Sequence, residues 1–138
     1  MKAVESFTPR EVGERVWGRE LLVAHTPNYT GKVDFYKAGK AGGLQFHRLK
    51  DETLYLYSGE AWVDSDDGAG KLIRVHMTPG MSIHIPPGAP HRFEAITDCV
   101  VFETSTPPVT GDRVRCEEHY GVEVIGDEYG LETTEDDR

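Results

Sequence analysis

The sequence predicts a single all-β domain built as an antiparallel sandwich or barrel. Short apolar or alternating runs follow one another along the chain, and a turn signal closes each of them. The 15 glycines and eight prolines are scattered among these runs, which indicates many turns rather than long helices. A length of 138 residues with 38% hydrophobic residues suits one core. No internal repeat, low-complexity tract or linker divides the chain.

The first predicted element is a short helix in an N-terminal segment, residues 1–15. Thr8 is a suitable N-cap, Pro9 suits the first helical position, and Glu11 has the spacing of a capping box. Gly13 limits the helix to a short one. The expected order is therefore a short helix followed by strands.

The next elements are strands of five to seven residues. Ser58-Gly59 predicts a hairpin turn, and the polar run Asp64–Gly68 predicts a loop. The predicted strands are Leu21–His25, Lys32–Lys37, Gly43–His47, Thr53–Tyr57, Glu60–Asp64, Lys71–Met77, Met81–Ile85, His91–Ile96 and Cys99–Ser105. Their even spacing without helical interludes favours antiparallel pairing.

The last element is an acidic tail, residues 122–138. Residues 127–138 contain six acidic residues and one basic residue, which predicts a solvated and partly disordered end. The formal charge of −9 argues against nucleic acid as a partner, because phosphate binding requires a basic surface.

Location is predicted from what the sequence lacks. No run approaches the ~18 apolar residues of a membrane span, so no membrane partner is expected. The first residues have no apolar stretch typical of a signal peptide. Two cysteines do not make a disulfide framework, so a reduced cytoplasmic setting is the default expectation.

Four residues with metal-ligand chemistry lie in two spaced motifs. The motifs are Gly39-(x5)-Gln45-x-His47-(x4)-Glu52-(x6)-Gly59 and Gly80-(x5)-Pro86-x-Gly88-x2-His91. Residues two apart in a strand face the same side, so Gln45 and His47 point together. Glu52 returns from the next strand, and His91 closes the set from a distant hairpin. Two imidazoles, a carboxylate and an amide suit zinc, and manganese, iron, cobalt or nickel are also compatible.

The two motifs resemble those of the cupin superfamily. The first two candidate ligands of that family are usually His-x-His, and here they are Gln45-x-His47. The segments around the two motifs resemble type II phosphomannose isomerase domains more specifically, and this resemblance covers residues 16–121. The matching segments are Val16-Trp17-Gly18-Arg19-Glu20, Leu44-Gln45-Phe46-His47 through Glu52, Ile85-Pro86 through Glu94, and Gly111-Asp112-Arg113-Val114-Arg115 through Gly121. The resemblance implies a double-stranded β-helix, or jelly roll.

This resemblance also implies a function. The family carries a Gln, His, Glu, His zinc site, which falls on Gln45, His47, Glu52 and His91. It implies an aldose–ketose isomerase that moves a proton between adjacent carbons of a sugar or sugar phosphate through an enediol. A homodimer is expected by resemblance only. The family's arginine two residues before the glutamate corresponds to Lys50, which keeps the charge but loses the planar fork.

Further site residues follow from position and chemistry. Lys50 and His84 are the candidates for proton transfer, although an exposed turn lysine and an outward-facing strand histidine are the ordinary alternatives. Arg92 and Tyr36 are the candidates for substrate binding, through anion pairing and through stacking on a sugar. Strand aromatic residues more often pack in the core than bind sugars. Arg48, which also flanks the ligands, is expected to be solvated.

Two other functions remain open from the sequence. One is an iron cupin that activates oxygen, although dioxygenase cupins more often keep two histidines in the first motif. The other is a non-catalytic module that binds a small carbohydrate or regulates a partner. The ion that is bound, and whether oxygen is consumed, would separate these functions from an isomerase.

Overall fold

A computed structural model describes residues 1–125 as two antiparallel sheets with one short helix. The six-stranded sheet has the order β1-β2-β3-β10-β5-β8, and the five-stranded sheet has the order β11-β4-β9-β6-β7. The elements are β1 (Arg10–Arg15), β2 (Gly18–His25), β3 (Thr30–Tyr36), β4 (Gln45–His47), β5 (Glu52–Ser58), β6 (Ala61–Asp66), β7 (Leu72–Met77), β8 (Ser82–Ile85), β9 (His91–Ala95), β10 (Cys99–Ser105), β11 (Arg113–Arg115) and α1 (Glu117–Tyr120). This arrangement confirms the predicted all-β jelly roll.

The nine strands predicted from the sequence are all present, with ends that shift by at most three residues. Two further elements, β11 and α1, were not predicted, because each spans only three or four residues and lacks a run of alternating apolar residues. The predicted acidic tail, residues 122–138, lies outside the described residues from position 126 onward.

The predicted N-terminal helix is wrong. Residues Arg10–Arg15 form β1, which pairs antiparallel with β2 and contains a bulge between Glu11 and Gly13. The side chain of Glu11 is ion-paired with Arg19 on β2 instead of capping a helix. A helix cap contributes only about 1 kcal/mol, whereas pairing with β2 satisfies the backbone of a whole edge strand.

The space between the sheets is apolar at one end and polar at the other. Along β10 the buried residues change from Glu103 to Val101 and Cys99, and along β5 they change from Glu52 to Leu54. The apolar end forms the core of Leu54, Leu56, Ala61, Val63, Met77, Ile85, Phe93, Ala95, Cys99 and Val101. The same strands therefore build both the core and a buried polar site.

Within residues 1–125 no helix has the length and apolar character that a bilayer crossing requires.

Candidate metal centre

The fold brings the four predicted metal ligands to the wall of one cavity. Gln45 and His47 lie on β4, while Glu52 and His91 are the first residues of β5 and β9. Gln45 is the direct cross-strand partner of His91, so their side chains lie on the same face of the sheet. The cavity has a volume of about 90 Å³, and all four residues line it.

Three of these residues approach closely enough to share one ion. One ligand atom each from His47, Glu52 and His91 can be chosen so that all three lie within 4.8 Å of one another. His47 Nδ1 is 3.4 Å and His91 Nε2 is 4.0 Å from Glu52 Oε2. Two imidazoles and a carboxylate at this spacing are typical of zinc, manganese or iron sites in proteins.

Several buried polar atoms of this group have no hydrogen-bond partner. Both ring nitrogens of His47 and the Oε2 atom of Glu52 are inaccessible to solvent and unsatisfied among the described residues. A buried polar atom without a partner is costly, so proteins rarely leave several together. A divalent cation would bind Glu52 Oε2 and one ring nitrogen of His47 at once, and the donor set therefore fits a metal.

The protonation states also favour a metal. Burial, together with the nearby charge of Lys50, lowers the pKa of His47 to about 3, so the ring is neutral and able to coordinate. His91 Nδ1 lies 3.0 Å from the carbonyl oxygen of Ala89. If Nδ1 donates to that carbonyl, the Nε2 lone pair is available for the site, as is usual for metal-binding histidines. Burial raises the pKa of Glu52, and a bound cation would oppose that effect.

Lys50, the predicted proton-transfer residue, is buried at the same site. Its Nζ atom donates to Glu103 Oε2 at 3.1 Å and lies 3.7 Å from Glu52 Oε2. Burial alone would raise the pKa of Glu103, but Lys50 and Lys32 outweigh it and lower the pKa to about 2. Glu103 is therefore a carboxylate that holds the ammonium group of Lys50 beside the candidate ligands.

The turn that carries Lys50 is fastened by Asp112. The Asp112 carboxylate accepts the backbone N–H groups of Leu49 at 2.7 Å and Lys50 at 3.0 Å. The N–H of Gly88 donates to the carbonyl of His47 at 2.7 Å, which joins the two sequence motifs. These hydrogen bonds fix the turn between His47 and Glu52, and with it the two candidate ligands at its ends.

A second group of buried charges also lines the cavity. Glu20 is ion-paired with Arg15 at 3.4 Å and with Lys32 at 3.5 Å. Burial, and the charges of Glu20 and Glu103, raise the pKa of the neighbouring Asp34 well above its usual value. Glu20 is neutralised by two cations of the chain, and the raised pKa favours the neutral form of Asp34, so this group does not need a metal to balance its charge.

The other predicted site residues are placed differently. Arg92 and Tyr36 both line the cavity. Arg92 donates from Nη2 to the carbonyl of Glu123 at 2.8 Å, whereas Tyr36 stacks on Trp17 with ring centroids 4.0 Å apart. His84 is not brought to the cavity, since its side chain is 61% exposed on the outer face and lies 2.7 Å from Asp51.

Sequence reasoning missed most of the buried charges around the ligands. Those that line the cavity are Arg15, Glu20, Lys32, Asp34, Glu103, Arg113 and Arg115. A signal was present in the alternation of β3, where Lys32, Asp34 and Tyr36 share one face. Which face was inward became clear only once β3 was paired with β2 and β10.

Comparison with known proteins identifies the domain. The Cupin domain family matches residues 33–104, which is more than half of the chain. No curated protein matches the sequence.

Three solved structures with the same fold are distant in sequence. Capsular polysaccharide assembling protein CapF from Staphylococcus aureus is 19% identical with a TM-score of 0.70, over 80% of this chain and 32% of CapF. KdgF from Halomonas sp. is 20% identical with a TM-score of 0.61, over 73% of this chain and 88% of KdgF. Bacillus subtilis oxalate decarboxylase, whose Mn(II) centres have been characterised, is 21% identical with a TM-score of 0.60, over 71% of this chain and 27% of that one. The chain thus spans about a third of CapF, and these likenesses establish the fold alone.

Proposed function

The chain belongs to the cupin domain family, and from that premise we propose that it is a metal-dependent isomerase of a sugar or sugar phosphate. The observation that carries the proposal is the set of unsatisfied buried atoms of His47 and Glu52 at the cavity wall. We assign Gln45, His47, Glu52 and His91 as ligands of a divalent ion, zinc in the first instance. The Gln, His, Glu, His set is the one that the resemblance to phosphomannose isomerase domains implies.

The bound ion would polarise the substrate carbonyl and stabilise the negative charge that develops on its oxygen. The chain's own residues would position the substrate and move the proton. Lys50 is directed by Glu103 toward the ligands, and we assign it to proton transfer between the two reacting carbons. Its ammonium group would first pass a proton to the Glu103 carboxylate, and the resulting amine would take a proton from one carbon and return it to the other. The cavity of about 90 Å³ leaves room beside the ligands for the reacting end of a sugar.

The charge of the cavity supports an anionic substrate. Among the described lining residues the cations are Arg15, Lys32, Lys50, Arg92, Arg113 and Arg115, and the carboxylates are Glu20, Asp34, Glu52 and Glu103. Cations therefore outnumber carboxylates although the whole chain carries −9. Arg92 and Arg115 are both ion-paired with Glu117, and a divalent ion bound in the site would add the positive charge that attracts anions such as a sugar phosphate. We assign Arg92 to this attraction and Tyr36 to the packed wall beside it.

A solvent-exchange experiment tests the proposal. The protein is purified without added metal, its metal content is determined, and hexose and pentose phosphates are incubated with it in D2O. Zinc or manganese, with deuterium appearing at the carbon next to the carbonyl, is the expected result. Lys50→Gln should abolish exchange and retain the metal, whereas Lys71→Gln, an exposed lysine, should change neither.

Two results would replace this function. Iron with consumption of oxygen would indicate the dioxygenase alternative. Metal binding without turnover of any sugar, with binding of a sugar unaffected by Lys50→Gln, would indicate a non-catalytic binding module.

A further inference from the structure

Asp34 is a buried acid of the cavity wall that the proposed mechanism does not use. Its side chain lines the cavity, and the residue is only 3% exposed. Its Oδ1 atom is inaccessible to solvent and has no hydrogen-bond partner among the described residues. A buried acceptor without a partner is costly, so a bound molecule that donates a hydrogen bond to this atom is favoured.

Strand pairing places Asp34 on the same wall as the candidate ligand Glu52. On β10, Val101 pairs with Asp34. Ser105, four residues further along β10, pairs with Glu52. Alternate residues of a strand share a face, so these two pairs face the same way and lie about 13 Å apart along the strand. Glu103 lies between them, and the polar wall therefore continues from Glu52 past Glu103 to Asp34.

Short distances connect Asp34 with the reacting end of the cavity. One oxygen each of Glu20, Asp34 and Glu103 can be chosen so that all three lie within 4.8 Å of one another. Glu103 accepts a hydrogen bond from Lys50 Nζ at 3.1 Å, and that Nζ atom lies 3.7 Å from Glu52 Oε2. The Lys50–Glu103 pair therefore lies between Asp34 and the candidate ligands. Asp34 would meet a part of the substrate other than the reacting carbons.

The neighbours of Asp34 determine what its unsatisfied oxygen can do. Glu20, its cross-strand partner on β2, is ion-paired with Arg15 and Lys32. Burial, then the charges of Glu20 and Glu103, raise the pKa of Asp34, and hydrogen bonding with Glu20 contributes to the same effect. A neutral Asp34 that donates its proton to Glu20 keeps Oδ1 as a hydrogen-bond acceptor.

A hydroxyl group is the donor that suits this acceptor. It donates a hydrogen bond without bringing a further charge into the buried wall. An anionic group would lie against the carboxylate of Glu20, whereas an ammonium group would approach Lys32. Sugars and sugar alcohols carry a hydroxyl on almost every carbon, so they can present one to Asp34 while their other end lies at the ligands.

We propose that Asp34 is a specificity residue that accepts a hydrogen bond from one hydroxyl of the bound sugar, at a carbon beyond the two that react. This role rests on the proposed function, which places the carbonyl end of the sugar at the metal ligands. Asp34 contacts the substrate and takes no part in proton transfer. A site that hydrogen-bonds a substrate hydroxyl rejects an analogue without it, because the buried acceptor is then left unpaired.

Calorimetric titration of the full 138-residue chain with sugar alcohol phosphates tests this role. The probes are glucitol 6-phosphate and mannitol 6-phosphate, which differ only at carbon 2 and, without a carbonyl, are not turned over. Each is compared with analogues that lack the hydroxyl at carbon 3, 4 or 5. For the wild-type protein, loss of one of these hydroxyls should weaken binding at least tenfold, whereas loss of the others should have smaller effects.

Variants of Asp34 show whether this acceptor reads that hydroxyl. Asp34→Ala should bind the parent probe at least tenfold more weakly and should no longer distinguish it from the analogue, as expected for a direct contact. Asp34→Leu, which is close in size, serves if circular dichroism shows that Asp34→Ala does not fold. Asp34→Asn keeps a carbonyl oxygen, so it should bind within about threefold of the wild type. Asp64→Ala is the matched control, since Asp64 is 7% exposed but is ion-paired with Arg74 outside the cavity, and it should bind like the wild type.

Three results would overturn the role of Asp34. They are a wild-type protein that binds neither probe, one that binds all analogues equally, and a folded Asp34→Ala or Asp34→Leu protein that still discriminates against the same analogue. Because the probes do not react, these results are independent of the isomerase assay. Discrimination that depends on Asp34, without deuterium exchange in sugar phosphates, would remove the isomerase and retain the hydroxyl site. Deuterium exchange without this discrimination would do the reverse.

Discussion

His47 Nδ1 lies 3.4 Å from Glu52 Oε2, yet neither atom makes a hydrogen bond among the described residues. The two atoms come from different strands and are buried side by side. Two unsatisfied lone-pair atoms at this distance fit a shared cation better than any contact between them.

Removal of a single candidate ligand should weaken metal binding. His47→Ala or His91→Ala is expected to lower zinc affinity by more than about 100-fold, because loss of groups that only orient ligands already reduces affinity about 10- to 100-fold. Calorimetric titration of zinc into metal-free protein measures the change. His84→Ala is the control, since His84 lies on the outer face, and its affinity should match the wild type. Equal affinities for all three variants would contradict the assigned ligands.

The metal-free protein should lose stability as the pH falls through the range set by His47. The pKa of His47 is lowered from 6.5 to about 3, so between these values the unfolded chain binds a proton that the folded chain excludes. This contribution is fully present above pH 6.5 and is lost as the pH falls toward 3, by at most about 1.4 kcal/mol per pH unit. Urea unfolding at a series of pH values should show a shallower fall for His47→Gln than for the wild type. Parallel curves would show that His47 is not the residue responsible.

Lys50 should be essential for stability as well as for activity. Lys50→Met removes the cation next to Glu103 and Glu52 and leaves two buried carboxylates without it. We expect a loss of about 3–5 kcal/mol in the free energy of unfolding, the usual effect of removing one partner of a buried ion pair. Chemical denaturation checks the loss, with Lys71→Met as the exposed control. The double variant Lys50→Met/Glu103→Gln should recover part of it, and a double variant no more stable than Lys50→Met would refute the pairing.

Gly59, the last residue of the first motif, should not accept a side chain. Its φ is +93°, and an added Cβ would lie 2.2 Å from the backbone oxygen of Asp98. Gly59→Ala is therefore expected to destabilise the fold by about 2–4 kcal/mol through strain and overlap. Gly88→Ala is the matched control, because its φ is +84° and nothing lies within 4 Å of its added Cβ. Gly88→Ala should lower the free energy of unfolding by only about 1–2 kcal/mol in the same thermal or urea measurement. Equal losses for the two variants would show that overlap with the Asp98 oxygen is not the cause.

The spacing of the two motifs predicted which residues share the cavity, and the reason is local. Alternation along β4 places Gln45 and His47 on one face, the four-residue turn 48–51 returns Glu52 to it, and a turn with Gly88 at positive φ returns His91. The identities of the lining residues at those four positions could therefore be read before the fold was known.

Positions whose environment depends on distant partners could not be read in this way. Lys50 looked like a turn lysine, and only the approach of Glu103 from β10 makes it a buried cation. His84 had two possible faces, and the buried position of Ile85 beside it fixed it on the outside. Residues 10–15 carried a helix signal that was outweighed by pairing with β2.

The sequence by itself determined nine of the eleven described strands, the turns between them and the four candidate ligands, since each depends on spacing along a few neighbouring residues. The tertiary structure decided which charges are buried and which of them line the cavity. Both depend on strand order and on contacts between residues far apart in the chain, which local alternation does not encode.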